Sequence, residues 1–209
     1  MPDWENAFGT CPLVAILRGL RPHEAVGHGR VLADAGFTLI EVPLNSPEPL
    51  DSIARLVTAL PRTFVGAGTV LSAAAVREVH AAGGRLIVAP NFDLEVAAEA
   101  TRLGLTYLPG VGTLTEAFAA LKAGAAGLKL FPAEIITPAA VRAMRSVLPA
   151  RTKLLPVGGI DARTMGPYLT AGADGFGLGG SLYRPGQEVC DTAASAAEIV
   201  AAYRKLTRG

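Results

Sequence analysis

The chain has 209 residues, a length that suits one domain with a sizeable core and lies near the lower end for a closed β/α barrel. Half of its residues are apolar and the mean hydropathy is +0.38, which predicts a globular protein and excludes a disordered one. The net charge of +1 comes without a basic block and argues against a nucleic-acid partner, whereas small anionic ligands stay compatible with it.

Two cysteines and the absence of long apolar runs bear on the compartment. Cys11 and Cys190 form neither a disulfide framework nor a metal-like pair, which favours a reduced, cytoplasmic location. Residues 1–10 carry acidic side chains and do not resemble a signal peptide, and no apolar run approaches the roughly 18 residues of a membrane span. The abundant Ala and Gly indicate either a covered subunit surface or a GC-rich genome.

Short apolar runs alternate with longer segments of helical length. A short helix is expected over residues 4–10 and a long one over residues 188–206, and either could cover the open end of a barrel. The apolar runs are typical of parallel strands buried on both faces. They cover residues 13–17, 38–44, 63–67, 85–89, 106–108, 127–131, 153–157 and 175–178.

Helix signals lie between these runs, over residues 22–36, 72–83, 113–124 and 161–172. Thr113 followed by Glu116 is a capping-box pattern, and an Ala-Gly phrase that closes several helices is typical of a turn from helix to strand. Eight such units predict an α/β fold, a (β/α)8 TIM barrel with an N-terminal helix, as one domain over residues 1–209. The alternative is an open doubly wound sheet, whose glycine-rich dinucleotide turn is missing after the first strand.

Lys129 is the most informative candidate catalytic residue. The catalytic groups of a β/α barrel lie at the C-terminal ends of its strands, and Lys129 alone among four lysines lies inside an apolar strand. A buried ammonium tends to lose its proton, and a neutral amine forms Schiff bases with carbonyl compounds. The alternative is a strand lysine that reaches solvent or pairs with a carboxylate.

Glu41 is the matching exception in the second apolar strand. It either forms a structural salt bridge with Lys129 or another cation, or moves the protons that Schiff-base chemistry requires. Burial and a nearby amine shift the pKa of such a carboxyl in opposite directions, so the sequence gives no net direction. Two unrelated buried charges would be costly in one small barrel, which favours a functional pair.

Other polar groups at strand ends suggest anion binding. Arg18 is either a solvated cation or a clamp for a carboxylate, and Gly68-Thr69 offers an N–H group and a hydroxyl but is also a common turn. The Gly158-Gly159 and Gly179-Gly180-Ser181 turns follow the last two strands, where β/α barrels often bind phosphate, unless they are ordinary turns.

The histidines do not predict a metal site. His23, His28 and His80 fall on helical segments, and we interpret them as surface or helix residues. Because no His or Cys lies at a strand end and no carboxylates cluster there, we expect no catalytic metal.

Seven motifs spread over nearly the whole chain carry a family resemblance. They are AILRG (15–19), EVPLNSP (41–47), VGAGTVL (65–71), VAPN (88–91), LKLFPAE (128–134), PVGGI (156–160) and GLGGSLY (177–183). With them the chain resembles the 2-keto-3-deoxy-6-phosphogluconate / 6-phosphogalactonate aldolase family, class I aldolases on a β/α barrel.

The resemblance implies a role for each motif. Lys129 is implied to be the Schiff-base lysine and Glu41 the general acid/base. Arg18, Gly68 and Thr69 are implied to hold the pyruvate carboxylate. The phosphate site is implied to comprise Gly158, Gly159, Gly179, Gly180 and Ser181, and further substrate contacts Asn45, Pro90, Phe131 and Val157. The family needs no cofactor or metal and is typically a homotrimer.

The finer substrate preference depends on one strand end. The residues Pro156-Val157-Gly-Gly, where the phosphogluconate enzymes usually have Thr second, and Asn45 after strand two look like the phosphogalactonate branch, whereas the loop at Ala133-Glu134 looks like the other branch. We expect reversible cleavage of 2-dehydro-3-deoxy-6-phosphogalactonate to pyruvate and D-glyceraldehyde 3-phosphate, in galactonate degradation, a part of carbohydrate metabolism. Alternatives are the 6-phosphogluconate epimer or 4-hydroxy-2-oxoglutarate, an isomerase or decarboxylase that forms no imine, and a non-catalytic sugar-phosphate sensor.

Overall fold

The computed structural model describes residues 3–207, so the first two and last two residues of the expected domain lie outside the described part. Strands and helices alternate, as the sequence predicts. The strands are β1 (Leu13–Ile16), β2 (Leu39–Pro43), β3 (Phe64–Gly68), β4 (Leu86–Val88), β5 (Thr106–Leu108), β6 (Gly110–Val111), β7 (Leu128–Leu130), β8 (Leu154–Pro156) and β9 (Phe176–Leu178). The helices are α1 (Trp4–Thr10), α2 (Pro22–Ala35), α3 (Pro49–Ala59), α4 (Ala73–Ala81), α5 (Leu94–Arg102), α6 (Leu114–Lys122), α7 (Pro138–Arg145), α8 (Met165–Thr170) and α9 (Val189–Thr207).

The strands form two parallel sheets. Six strands pair in the order β5-β4-β3-β2-β1-β9 and curl into a half-barrel, and three pair in the order β6-β7-β8. The α/β class and the N-terminal helix are therefore confirmed. Between the two sheets, the Ala126 N–H donates to the Tyr107 carbonyl at 3.0 Å, and a single parallel bridge joins Val157 to Gly177.

Two elements differ from the sequence prediction. The strand expected at residues 106–108 is followed, after Pro109, by a second short strand, β6. Proline has no N–H to donate, so it interrupts the hydrogen-bond ladder between β5 and β6. The helix expected from residue 161 begins only at Met165. Asp161 instead closes a turn, in which its Oδ1 accepts from the N–H groups of Arg163 and Thr164 at 2.8 and 2.9 Å.

Helix α1 covers the end of the strands opposite their carboxyl termini. Asp3 caps it by accepting from the Asn6 N–H at 2.8 Å, and its Trp4 and Phe8 pack among inward-facing strand residues. Lys153 lies at this end, directly before β8, with Nζ 2.6 Å from Glu5 Oε2. Of the two terminal helices, α1 is therefore the one that covers the open end of the strands.

Helix α9 packs on α2, where the interpretation of one histidine needs correction. His28 is on a helix but is only 1% exposed, and its Nδ1 lies 2.9 Å from Thr192 Oγ1 on α9. The Thr192 hydroxyl pairs with His28 inside the protein, which the local sequence does not reveal. None of the helices within residues 3–207 is long and apolar enough to cross a membrane.

Candidate active site

Glu41 is buried at the centre of the six-stranded sheet. Its side chain is 1% exposed, and Oε2 has no hydrogen-bond partner among the described residues. The carboxylate fits there because the neighbouring strand has glycine at position 68, where a Cβ would lie 1.4 Å from Oε2. An unsatisfied buried carboxyl oxygen is costly, which is typical of a group kept for chemistry rather than for stability.

Lys129 lies in β7 of the second sheet, and its side chain lines a small cavity that Glu41 also lines. It is 7% exposed, and its Nζ lies 4.6 Å from the centre of the Phe131 ring. Lys129 and Glu41 are the two ionisable groups in the lining of this cavity, whose volume is about 10 Å³. The other lining residues are Val14, Ile16, Val88, Leu108, Leu155, Val157 and Gly177.

Burial dominates the electrostatics of both groups. It raises the pKa of Glu41 to about 7, although the charges of Lys129 and Arg18 act in the opposite direction. Burial also lowers the pKa of Lys129, with Glu41 opposing the shift and Arg18 adding to it. The structure thus gives the net direction of the pKa shift of Glu41, which the sequence left open. An amine and a carboxyl with pKa values moved toward neutrality suit nucleophilic and acid/base chemistry.

Arg18 follows β1 at the same end of the sheet and interacts with the loop after β2. Its Nη1 donates to Asn45 Oδ1 at 2.9 Å, while the adjacent Gly19 N–H donates to Ser46 Oγ at 2.9 Å. Thr69 follows β3 with φ at 56°, a left-handed backbone conformation that is unusual for threonine. Arg18, Asn45 and Thr69 thus follow three adjacent strands.

A larger cavity of about 420 Å³ opens beyond Lys129. The two glycine turns line it, and Ser181 Oγ donates to the Ile160 carbonyl at 2.8 Å. Eight of the predicted site residues lie in its wall, namely Arg18, Phe131, Val157, Gly158, Gly159, Gly179, Gly180 and Ser181. It shares Ile16, Val157 and Gly177 with the small cavity, so the two spaces adjoin.

Four predicted residues lie outside the walls of both cavities. Asn45 holds Arg18, and Gly68 gives space to the Glu41 carboxylate. Thr69 is half-buried next to Gly68. The carbonyl of Pro90 lies close to Gly110, where a Cβ would be 2.1 Å away. Pro90 therefore supports the start of β6 in this structure.

Two charged residues of the larger cavity were not predicted. Arg184 lines it, and its Nε donates to the Gly180 carbonyl at 3.1 Å. A cation three residues beyond Gly180-Ser181 is the signal that could have identified it. Asp161 also lines the cavity, but its carboxylate is held by backbone N–H groups and by Arg163. Residues 3–207 contain no group of three or more His, Cys, Asp or Glu side chains placed to hold a metal ion.

A parallel α/β fold with a buried amine and a buried carboxyl in one cavity is the arrangement of an aldolase, a carbon–carbon lyase. Residues 5–197 match the KDPG and KHG aldolase family, and the chain belongs to that family. It is 45% identical over 207 residues to a 2-dehydro-3-deoxy-6-phosphogalactonate aldolase of Escherichia coli (strain K12), covering 99% of this chain and 100% of that protein.

Two further similarities agree with this assignment. A probable 2-dehydro-3-deoxy-6-phosphogalactonate aldolase of Rhizobium meliloti (strain 1021) is 46% identical over 199 residues, covering 95% of this chain and 94% of the relative. A solved structure described as native KDPGal superposes with a TM-score of 0.93 at 44% identity, covering 95% of this chain and 97% of that one. The expected family is confirmed.

Proposed function

We propose that this protein reversibly cleaves 2-dehydro-3-deoxy-6-phosphogalactonate to pyruvate and D-glyceraldehyde 3-phosphate through an imine on Lys129. The observation that carries the proposal is the cavity that Lys129 and Glu41 share. The names of the relatives at 45% and 46% identity supply the substrate. The proposed metabolic role is the degradation of galactonate.

Imine formation begins with the neutral amine of Lys129. Its Nζ attacks the C2 carbonyl of the substrate to give a carbinolamine, which loses water to become an iminium ion. Burial lowers the pKa of Lys129, so more of the amine is uncharged at a given pH than in solution. The protons that leave and enter in these steps are assigned to Glu41.

Carbon–carbon cleavage follows from the iminium ion. Glu41, as carboxylate, removes the proton of the C4 hydroxyl directly or through one water. The electrons of the C3–C4 bond then move into the iminium ion, which yields the enamine and the aldehyde product. The protonated Glu41 returns its proton to C3, and water hydrolyses the iminium to release pyruvate and the free amine.

We place the body of the substrate in the larger cavity, because the small cavity of about 10 Å³ beside Lys129 and Glu41 has room for about one water. In this proposal Arg18 and the Gly68-Thr69 turn hold the carboxylate, with Asn45 orienting Arg18 and Pro90 supporting the neighbouring turn. Phe131 and Val157 border the carbon chain. The glycine turns and Ser181 receive the phosphate in the cavity of about 420 Å³, which is large enough for a sugar phosphate.

Trapping of the imine tests the mechanism. Incubation with pyruvate and borohydride should leave a stable adduct on the peptide that contains Lys129, identified by mass spectrometry. Lys153, paired with Glu5 at the opposite end, is the internal control and should stay unmodified. Lactate, which has no ketone, should give no adduct. An unmodified Lys129 would defeat the proposal, and release of pyruvate in an assay coupled to lactate dehydrogenase excludes a mere sensor.

We further propose that the two sheets close into an eight-stranded (β/α)8 barrel, in which β5 and β6 count as one strand broken at Pro109, and that residues 1–209 form one domain. The Ala126–Tyr107 bond, the Lys129 N–H to Pro109 carbonyl bond of 2.9 Å and the Val157–Gly177 bridge support closure. Amide hydrogen exchange tests it, because closure should protect the Ala126 and Lys129 amides as strongly as those of the central strands.

The proposed assembly is a homotrimer of a cytoplasmic protein. Exposed Leu71, Leu94 and Leu114 lie at or just before the starts of the consecutive helices α4, α5 and α6, and exposed Phe118 lies one turn after Leu114 on α6. Copies of this chain would cover such a patch. Light scattering should give a trimer mass that Leu94→Asp with Phe118→Asp lowers and Val147→Asp does not. The exposed thiol of Cys190 suits a reducing cytoplasm.

A further inference from the structure

The segment after β9 holds Arg184 in a defined position above the larger cavity. The N–H groups of Leu182 and Tyr183 donate to the Gly179 carbonyl at 2.8 and 3.0 Å, which folds the glycine turn back on itself. Arg184 Nε then donates to the Gly180 carbonyl at 3.1 Å. A guanidinium carries five N–H donors in a planar fork, so this bond leaves the terminal amino groups available to an anion.

Partly buried polar contacts also hold the segment after β9 in place. Gln187 Nε2 donates to the Leu182 carbonyl at 3.2 Å and to Thr192 Oγ1 at 3.0 Å, and Thr192 in turn contacts His28. On the other side of Arg184, Pro185 packs so close to Gly19 that a Cβ there would lie 2.6 Å from Pro185 Cγ. The segment that carries Arg184 therefore has few alternative conformations, which favours a preorganised contact.

The charges around the cavity leave Arg184 as the cation next to the glycine turns. Arg18, the other arginine in the wall, uses Nη1 to contact Asn45 on the side of β2. The carboxylate of Asp161 accepts from two backbone N–H groups and pairs with Arg163 at 3.1 Å, so its charge is compensated locally. A dianion bound at the turns would meet the Arg184 cation beside Gly180 and the Glu134 carboxylate beside Gly158, where a Cβ would lie 2.2 Å from Glu134 Oε2. Arg184 is thus the charge at the turns that attracts such an anion.

We propose that Arg184 is a substrate-binding residue whose guanidinium contacts the phosphate group of the sugar phosphate. The proposal rests on the function proposed above and adds a side-chain cation to the backbone turns. Glycine N–H groups recognise phosphate oxygens through neutral donors, whereas a charge-assisted bond discriminates a phosphate dianion from a hydroxyl group. Arg184 would therefore set the preference for phosphorylated over unphosphorylated aldehydes.

Steady-state kinetics on two aldehydes test the assignment. Arg184→Gln should raise the KM for D-glyceraldehyde 3-phosphate about 10- to 100-fold, because hydrogen bonds to charged groups contribute this much. The kcat should change little, since a contact that is present in both ground and transition states acts on KM. Condensation of pyruvate with unphosphorylated D-glyceraldehyde should be unchanged. Arg184→Lys should recover part of the loss, and Arg142→Gln, an exposed arginine of α7, is the matched control.

Inorganic phosphate gives a readout that is independent of turnover. It should bind the wild type more tightly than Arg184→Gln in titration calorimetry, with no difference between wild type and Arg142→Gln. An unchanged KM for the phosphorylated aldehyde, or an equal loss on both aldehydes, would overturn the assignment, the second because it indicates a merely structural role. If the wild type formed no imine, the proposed function would fail, while the phosphate titration would still decide the role of Arg184.

Discussion

The carboxylate of Glu41 lies directly against the α-carbon of Gly68, on the adjacent strand. A Cβ added at position 68 would be 1.4 Å from Oε2 and 2.3 Å from the carboxyl carbon of Glu41. The glycine is thus required by the position of the acid and not by a turn. Every displacement of Glu41 is expected to act on proton transfer, which depends on the distance between the reacting atoms.

Gly68→Ala should therefore lower kcat by about 100-fold, the cost expected when a catalytic group moves by roughly 1 Å. The measurement is kcat in the coupled assay, with circular dichroism to confirm the fold. Gly9→Ala is the matched control, since a Cβ at Gly9 meets no atom within 4 Å. A Gly68→Ala enzyme with the wild-type kcat would show that Glu41 need not remain where it is.

Replacement of Lys129 should abolish turnover. Lys129→Ala removes the nucleophile, and Lys129→Arg keeps a cation that cannot form an imine, so both should fall to the background rate of the coupled assay. Lys122→Ala, on the exposed face of α6, is the control and should keep full activity. Turnover by either Lys129 variant would reject imine catalysis at this residue.

Val157 is predicted to set the preference between the two C4 epimers. Val157→Thr exchanges a methyl group for a hydroxyl donor at the border of both cavities, which should shift the ratio of kcat/KM toward the gluconate epimer by about 2- to 10-fold. Val157→Ala removes methyl groups without adding a donor and separates the effect of volume. An unchanged ratio in Val157→Thr would remove this residue from the explanation of specificity.

The stability of the protein should depend on pH through Glu41. Its pKa in the folded protein is about 7, above the ordinary value of 4.5, so the folded state binds the proton more tightly. The stabilisation by this group is complete below the unfolded pKa and is lost as the pH rises through 7. Glu41→Gln should therefore gain free energy of unfolding relative to the wild type between pH 5 and pH 8, by about 1–3 kcal/mol.

Urea unfolding of both proteins at the two pH values measures this difference. Glu99→Gln is the contrasting control, because Arg102 and Arg77 lower the pKa of Glu99 to about 2 and it does not titrate in this interval. If the difference in free energy of unfolding between Glu41→Gln and the wild type were the same at both pH values, Glu41 would ionise as it does in water.

The sequence alone was sufficient to predict the features that depend on local sequence pattern. Buried parallel strands are continuous apolar runs, so a single lysine or glutamate inside one is conspicuous, and Lys129 and Glu41 were found in this way. Helix ends such as Thr113 with Glu116 were found because capping uses residues close in the chain.

Features that depend on contacts between distant segments were not accessible. His28 is satisfied by Thr192, which lies 164 residues away, so its burial leaves no local signal. The direction of the pKa shift of Glu41 required the extent of its burial, which outweighs the charge of Lys129. Arg184 was not predicted, although it follows Gly180-Ser181 by three residues, because only the structure shows that this cation lines the same cavity as the glycine turns.

Ile16, Val157 and Gly177 line both cavities, the small one around the amine of Lys129 and the larger one proposed to hold the substrate. Selection for a new sugar cannot act on Val157 without also altering the medium in which the amine ionises. With the proposed function, substrate range and reactivity are therefore coupled, and a lineage that changes one would need compensating changes around the other.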